Sequence, residues 1–118
     1  SKMNIVVDND MVIASPKPYS NDKGVVMVPL RVIAEALGYE VSWDNKSNSI
    51  SLNKNIALKI NSHDYTKADG SLITLDTDPA LVDGTTFVPL NFFTDVLMMN
   101  NAYVFEGQID INNGEKMK

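Results

Sequence analysis

Val28-Pro29-Leu30-Arg31-Val32-Ile33-Ala34-Glu35-Ala36-Leu37-Gly38 is the stretch that decides how this chain folds. Pro29 suits the first position of a helix, where its missing N–H would have had no partner and its fixed φ is already helical. Leu30, Ile33, Ala34 and Leu37 follow at i, i+3, i+4 and i+7, which makes one apolar stripe. Gly38 ends the pattern with a residue that adopts left-handed geometry without steric penalty. The predicted helix is little more than two turns long, too short to be stable alone, so it must be held by a sheet.

The same pattern returns sixty residues later as Val88-Pro89-Leu90-Asn91-Phe92-Phe93-Thr94-Asp95-Val96-Leu97-Met98. Gly24-Val25-Val26-Met27 ahead of the first copy matches Gly84-Thr85-Thr86-Phe87 ahead of the second, so the repeated unit is longer than the helix. Around each helix lie hairpin signals. Asn4 to Val7 and Met11 to Ala14 flank Asp8-Asn9-Asp10, and Ile56 to Ile60 and Tyr65 to Lys67 flank Asn61 to Asp64. Behind the helices, Val41 to Asp44 and Ser49 to Leu52 alternate apolar and polar residues, as do Tyr103 to Phe105 and Ile109 to Ile111 around Glu106-Gly107. Period two places Val41, Trp43, Ile50 and Leu52 on one face, which should cover the helix stripe. Residues 15–24 and 76–84 carry prolines and aspartates and read as surface connections.

The expectation is an α+β fold in which antiparallel strands wrap around two short helices. It is one domain over residues 1–118, made of two strand-strand-helix-hairpin repeats at about 4–52 and 55–111, with a polar tail at 112–118. A chain of 118 residues is long enough for one core but small for two independent ones.

Composition narrows the function. The net charge is -5 and Arg31 is the only arginine, so there is no cationic surface for phosphates and nucleic acid is not an expected partner. No apolar run approaches the roughly 20 residues of a membrane span, and no signal-peptide pattern opens the chain. There is no cysteine and one histidine, His63, which nearly removes the usual ligands for zinc and copper; no cofactor is expected.

Several residues suit a site as well as a plainer role. Arg31 and Glu35 sit four apart on one helix face, either as an arginine presented to an acidic polymer or sugar carboxylate, or as a brace for a neighbouring strand. Trp43 suits stacking on a sugar face, but its alternation with Val41 favours the core. Tyr39, Tyr65 and Tyr103 are the other aromatics that a glycan groove would use. His63 beside Asp64 is read as a turn residue rather than part of a nucleophile triad, and Asp76, Asp78 and Asp83 as turn caps rather than calcium ligands. Phe92, Val96 and Met99 form an apolar row beyond the Leu90, Phe93, Leu97 stripe, either covered by other strands or exposed to a protein partner or a second copy of the chain.

The order Val28-Pro29-Leu30-Arg31, Ala34-Glu35-Ala36-Leu37-Gly38, Val41-Ser42-Trp43-Asp44 and an alternating strand resembles the copper amine oxidase N-terminal domain-like family, and Asp83 to Leu90 matches the same lead-in. The resemblance implies a non-catalytic stalk module of a secreted or cell-surface protein of Gram-positive bacteria, whose copper and quinone chemistry would belong to a separate domain. Any export signal would then be missing from this segment. Its implied role is a spacer or protein-interaction domain, or alternatively a module binding wall glycan, located outside the cell or in its envelope. Pro29, Leu30, Gly38, Pro89 and Leu90 carry the structural motif. The second copy departs from it, with Asn91 for the arginine, Met98 for the glycine and Phe105 for the tryptophan, and is the half in which function is expected.

Overall fold

A computed structural model of the chain describes residues 3–115. Among these, short strands dominate and two short helices are inserted, a mostly β arrangement of the α+β kind. The first half runs β1 (Asn4–Val7), β2 (Asp10–Val12), β3 (Tyr19–Ser20), β4 (Val26–Pro29), α1 (Leu30–Ala36), β5 (Val41–Asp44) and β6 (Ser49–Leu52). The second runs β7 (Ile56–Lys59), β8 (Asp64–Thr66), β9 (Leu72–Thr74), β10 (Ala80–Val82), β11 (Thr85–Pro89), α2 (Phe92–Asp95), β12 (Asn101–Phe105) and β13 (Gln108–Asn112).

Three sheets form, ordered β12-β13-β1-β2, β10-β11-β4-β3 and β5-β6-β7-β8-β9. In the middle sheet the two copies of the lead-in strand meet antiparallel, with Val28 opposite Val88. Each residue of that pair faces its own counterpart, which is a local two-fold relation. The other two sheets do not respect the expected boundary between copies. The closing hairpin β5–β6 is extended by β7, β8 and β9, and the closing hairpin β12–β13 is extended by β1, parallel to β13, and then β2. The link Asn53 to Asn55 is short enough that β7 folds straight back on β6, with left-handed Asn53 and Lys54 making the turn.

The first helix matches its pattern, with Leu30, Ile33 and Ala34 buried. Pro29 is not its first residue, however. It has extended geometry (φ −71°, ψ 121°), ends β4 and caps the helix, so the proline ends a strand and starts a helix at one position. Gly38 (φ +96°) ends the helix in a Schellman motif, in which Tyr39 N–H donates to Ala34 C=O at 2.9 Å and Gly38 N–H to Glu35 C=O at 3.0 Å.

The second helix is shorter than expected. Pro89 ends β11, Leu90 and Asn91 precede the helix, and only four residues are helical. Met98 takes the left-handed position of Gly38 with φ +62°, its side chain exposed. The closing bonds reach further, from Leu97 N–H to Phe92 C=O and from Met99 N–H to Phe93 C=O, so the turn is wider than in the first copy. This widening turns Phe92, Val96 and Met99 inward: they are 0%, 1% and 7% exposed, while Leu90 and Leu97 are only half-buried. Phe92 lies between Phe93 and Tyr65 of β8, at 5.2 and 5.7 Å between ring centres. The row weighed as an interaction surface is therefore buried, with Phe92 against Tyr65 of the five-stranded sheet.

Two segments expected to be loops contain strands, β3 and β10, both sheet edges of two or three residues. The polar C-terminal stretch is partly ordered: Asn112 ends β13, and Asn113, Gly114 and Glu115 accept hydrogen bonds from Asn100 and Asn101. Residues 116–118 of that tail lie outside the described residues.

Candidate functional site

One edge of the five-stranded sheet is β5, and its register explains what it exposes. Asn53 N–H donates to Glu40 C=O at 2.8 Å, so Val41 pairs with Leu52 without hydrogen bonds. Val41 and Trp43 consequently turn their backbone N–H and C=O away from β6. Ile50 and Leu52 are covered, but no strand lies beyond β5, and Trp43 remains 40% exposed. The expected core position of Trp43 is corrected accordingly: its period is right, but its strand is an edge.

Trp43 borders a hollow of about 560 Å³ between this edge and the β10–β11 hairpin. Buried Leu30 and Ile50 form its base, and exposed Leu81 stands at the rim with Trp43. Thr85 and Thr86 contribute hydroxyl-bearing side chains. The indole is held by its polar end, since Nε1–H donates to Asn45 Oδ1 in the hairpin turn. Arg31 reaches the same hollow from α1. Its Nε lies 3.4 Å from Glu35 Oε2, and its Nη2 donates to the outward-facing Val41 C=O at 3.4 Å. The guanidinium is still 66% exposed, so it covers one carbonyl of the sheet edge while keeping donors for another group. A second hollow of about 270 Å³ next to Ile13 shares Arg31 and Thr85.

Shifted by sixty residues, the same construction recurs. A hollow of about 380 Å³ is lined by Leu90, Asn91, Val25 and Val26, the counterparts of Leu30, Arg31, Thr85 and Thr86, together with Ala102, Asp76 and Thr77. Asn91 Nδ2 bonds Asp95 Oδ2 at 3.2 Å, repeating the Arg31–Glu35 contact without the cation. No aromatic side chain lines this copy, because Phe105 lies at the far end of β12, 64% exposed.

The remaining candidates lie elsewhere. His63 Nδ1 is 2.6 Å from Asp78 Oδ1 rather than paired with Asp64, which accepts from Thr74 Oγ1. Asp76, Asp78 and Asp83 are not gathered into a metal-binding group among the described residues. Tyr65 is buried and donates to Thr77 C=O at 2.8 Å; burial, and then the charge of Asp78, hold its hydroxyl above the ordinary phenol range. Tyr39 and Tyr103 are half-buried. Sequence reasoning missed Leu81, Thr85 and Thr86 as partners of Trp43. Asp83-Gly84 between Ala80-Leu81-Val82 and Thr85-Thr86-Phe87 is a two-residue hairpin signal, with φ of 50° and 75°, and would have located them.

The fold defines a small sheet-rich module with surface hollows, and no metal-binding group is gathered among the described residues. The chain belongs to the copper amine oxidase N-terminal domain family, whose model matches residues 6–109. That domain is a non-catalytic module in the oxidases. The chain is also similar to a protein named "Protease inhibitor" from Brevibacillus choshinensis, 36% identical over 81 residues, which is 64% of this chain and 24% of the relative. It thus spans about a quarter of that protein's length. No helix among the described residues is long and apolar enough to cross a membrane.

Proposed function

We propose that this chain is a non-catalytic accessory module of a larger secreted or cell-surface bacterial protein, built from two copies of one unit, and that it binds a carboxylate-bearing wall glycan in the Arg31–Trp43 hollow. The observation that carries this is Trp43, exposed in a hollow beside the chain's only arginine. An indole face offers an apolar surface to a sugar ring, Arg31 matches a carboxylate, and the threonines match hydroxyls. The family membership supports the accessory role. The relative's name gives a protein partner as the competing occupant.

Trp43 is the single tryptophan, so its emission reports on the site directly. Titration with a purified uronate-bearing wall glycan should change that emission saturably, and the carboxyl-reduced glycan should bind at least tenfold more weakly. Unchanged emission with every wall glycan tested would discard the glycan reading. A saturable response to a protein instead would convert the hollow into an interaction site.

A further inference from the structure

We propose that β12 is a self-pairing edge that joins two copies of this chain, strand to strand and antiparallel. Among the described residues β12 is the last strand of its sheet, with β13 as its strand neighbour. The hairpin between them has a two-residue turn, Glu106 (φ 51°) and Gly107 (φ 76°), closed by Phe105 opposite Gln108. In such a turn the closing pair exchanges hydrogen bonds, so Phe105, Tyr103 and Asn101 face β13 while Ala102 and Val104 point their N–H and C=O outward. Val104 and Phe105 are 40% and 64% exposed.

What distinguishes this edge is its length and the absence of a charge or proline within the strand, two of the devices that keep edges apart. The edge β2 begins with Asp10, and β5 ends in Asp44 and has Arg31 bonded to its Val41 carbonyl. The edges β9 and β10 are three residues long, and β3 has two residues. β12 has five residues, and Asn100 to Phe105 carry no charge and no proline. In the second copy Asn91, at the position of Arg31, bonds Asp95.

A second copy satisfies this edge without conflict. With the two-fold axis at Tyr103, Ala102 of one copy faces Val104 of the other, and each of the two such pairs exchanges two hydrogen bonds. Phe105 then covers the partner's Asn101 position, and each Glu106 lies opposite an uncharged Asn100. A hollow lies beside Ala102 at this edge, with Asp76 and Thr77 on its wall. The far edge of the sheet, β2, is acidic at Asp10, so pairing ends at two copies rather than growing into a fibre.

Sedimentation equilibrium from micromolar to millimolar protein should show a reversible monomer–dimer transition, with the Ala102 and Val104 amides exchanging more slowly as the dimer fills. Val104→Pro removes an outward N–H without touching the β13 ladder, and Val104→Lys places like charges across the axis. Each should raise the dimer dissociation constant at least tenfold with the far-UV spectrum unchanged, while Trp43→Ala should not. A monomer throughout that range would overturn the proposal. So would a dimer that persists unchanged in Val104→Lys, the variant that keeps the whole backbone.

Discussion

The two hollows beside the central β4–β11 pair are built from equivalent residues and differ in what those residues can hold. In the first, Leu30, Arg31, Thr85 and Thr86 meet Trp43 around about 560 Å³; in the second, Leu90, Asn91, Val25 and Val26 meet Ala102 and Asp76 around about 380 Å³. The lining positions correspond although the helices differ in length, so a few side chains decide what each hollow offers. The copy closer to the family pattern holds the cation and the indole. The divergent copy instead buries Phe92, Val96 and Met99 in the core, with Phe92 against Tyr65 of β8.

That contrast can be broken most directly by stability. Phe92→Ala should destabilise the fold by about 3–5 kcal/mol in urea unfolding, and Trp43→Ala by only about 1 kcal/mol, because one ring is enclosed and the other is half in water. Equal losses would show that the two halves do not divide core and site in this way. Ligand affinity gives the complementary measurement. Arg31→Gln and Trp43→Ala should each weaken glycan binding about tenfold, or ~1.4 kcal/mol, while Asn91→Ala and Phe105→Ala leave it unchanged by calorimetry.

The helix stops can be exchanged. Gly38→Met forces a side chain into φ +96° and should cost about 1–2 kcal/mol, even though nothing lies within 4 Å of the added Cβ. Met98→Gly relieves the same strain at φ +62° and should raise stability by about 0.5–1 kcal/mol after the added chain entropy. Tyr65 tests how the second half is anchored to its loop. Its hydroxyl pKa is raised in the fold, so the unfolded chain ionises first and stability should fall as pH rises above about 10. Tyr65→Phe should flatten that alkaline limb and, by losing the bond to Thr77, cost about 0.5–1.5 kcal/mol at neutral pH. The smallest effect belongs to Arg31→Ala, about 0.2–0.5 kcal/mol in stability, since its contact with Glu35 is exposed.

Much of this architecture was legible. The Leu30, Ile33, Ala34 stripe and the Gly38 stop identify α1 because helix period and left-handed backbone are local properties. The hairpins β5–β6 and β12–β13 follow from alternation for the same reason. The edge strands β3 and β10 were not legible, being two or three residues long and supported only by their neighbours. The second helix was misjudged because Pro89, Leu90 and Leu97 repeat the first pattern while the wider turn at Met98 rotates a different row inward.

The sequence by itself determined the local elements and their repetition, since these rest on interactions between residues a few positions apart. Tertiary structure decided which faces are covered. Trp43 alternates like a core residue yet borders a hollow, because nothing pairs beyond β5; Phe92 looks surplus yet is enclosed, because sheet partners come from distant parts of the chain. The helix with the proline start and glycine stop folds as its spacing requires, but only the pairing of strands from both copies makes Arg31 and Trp43 neighbours of Thr85 and Leu81.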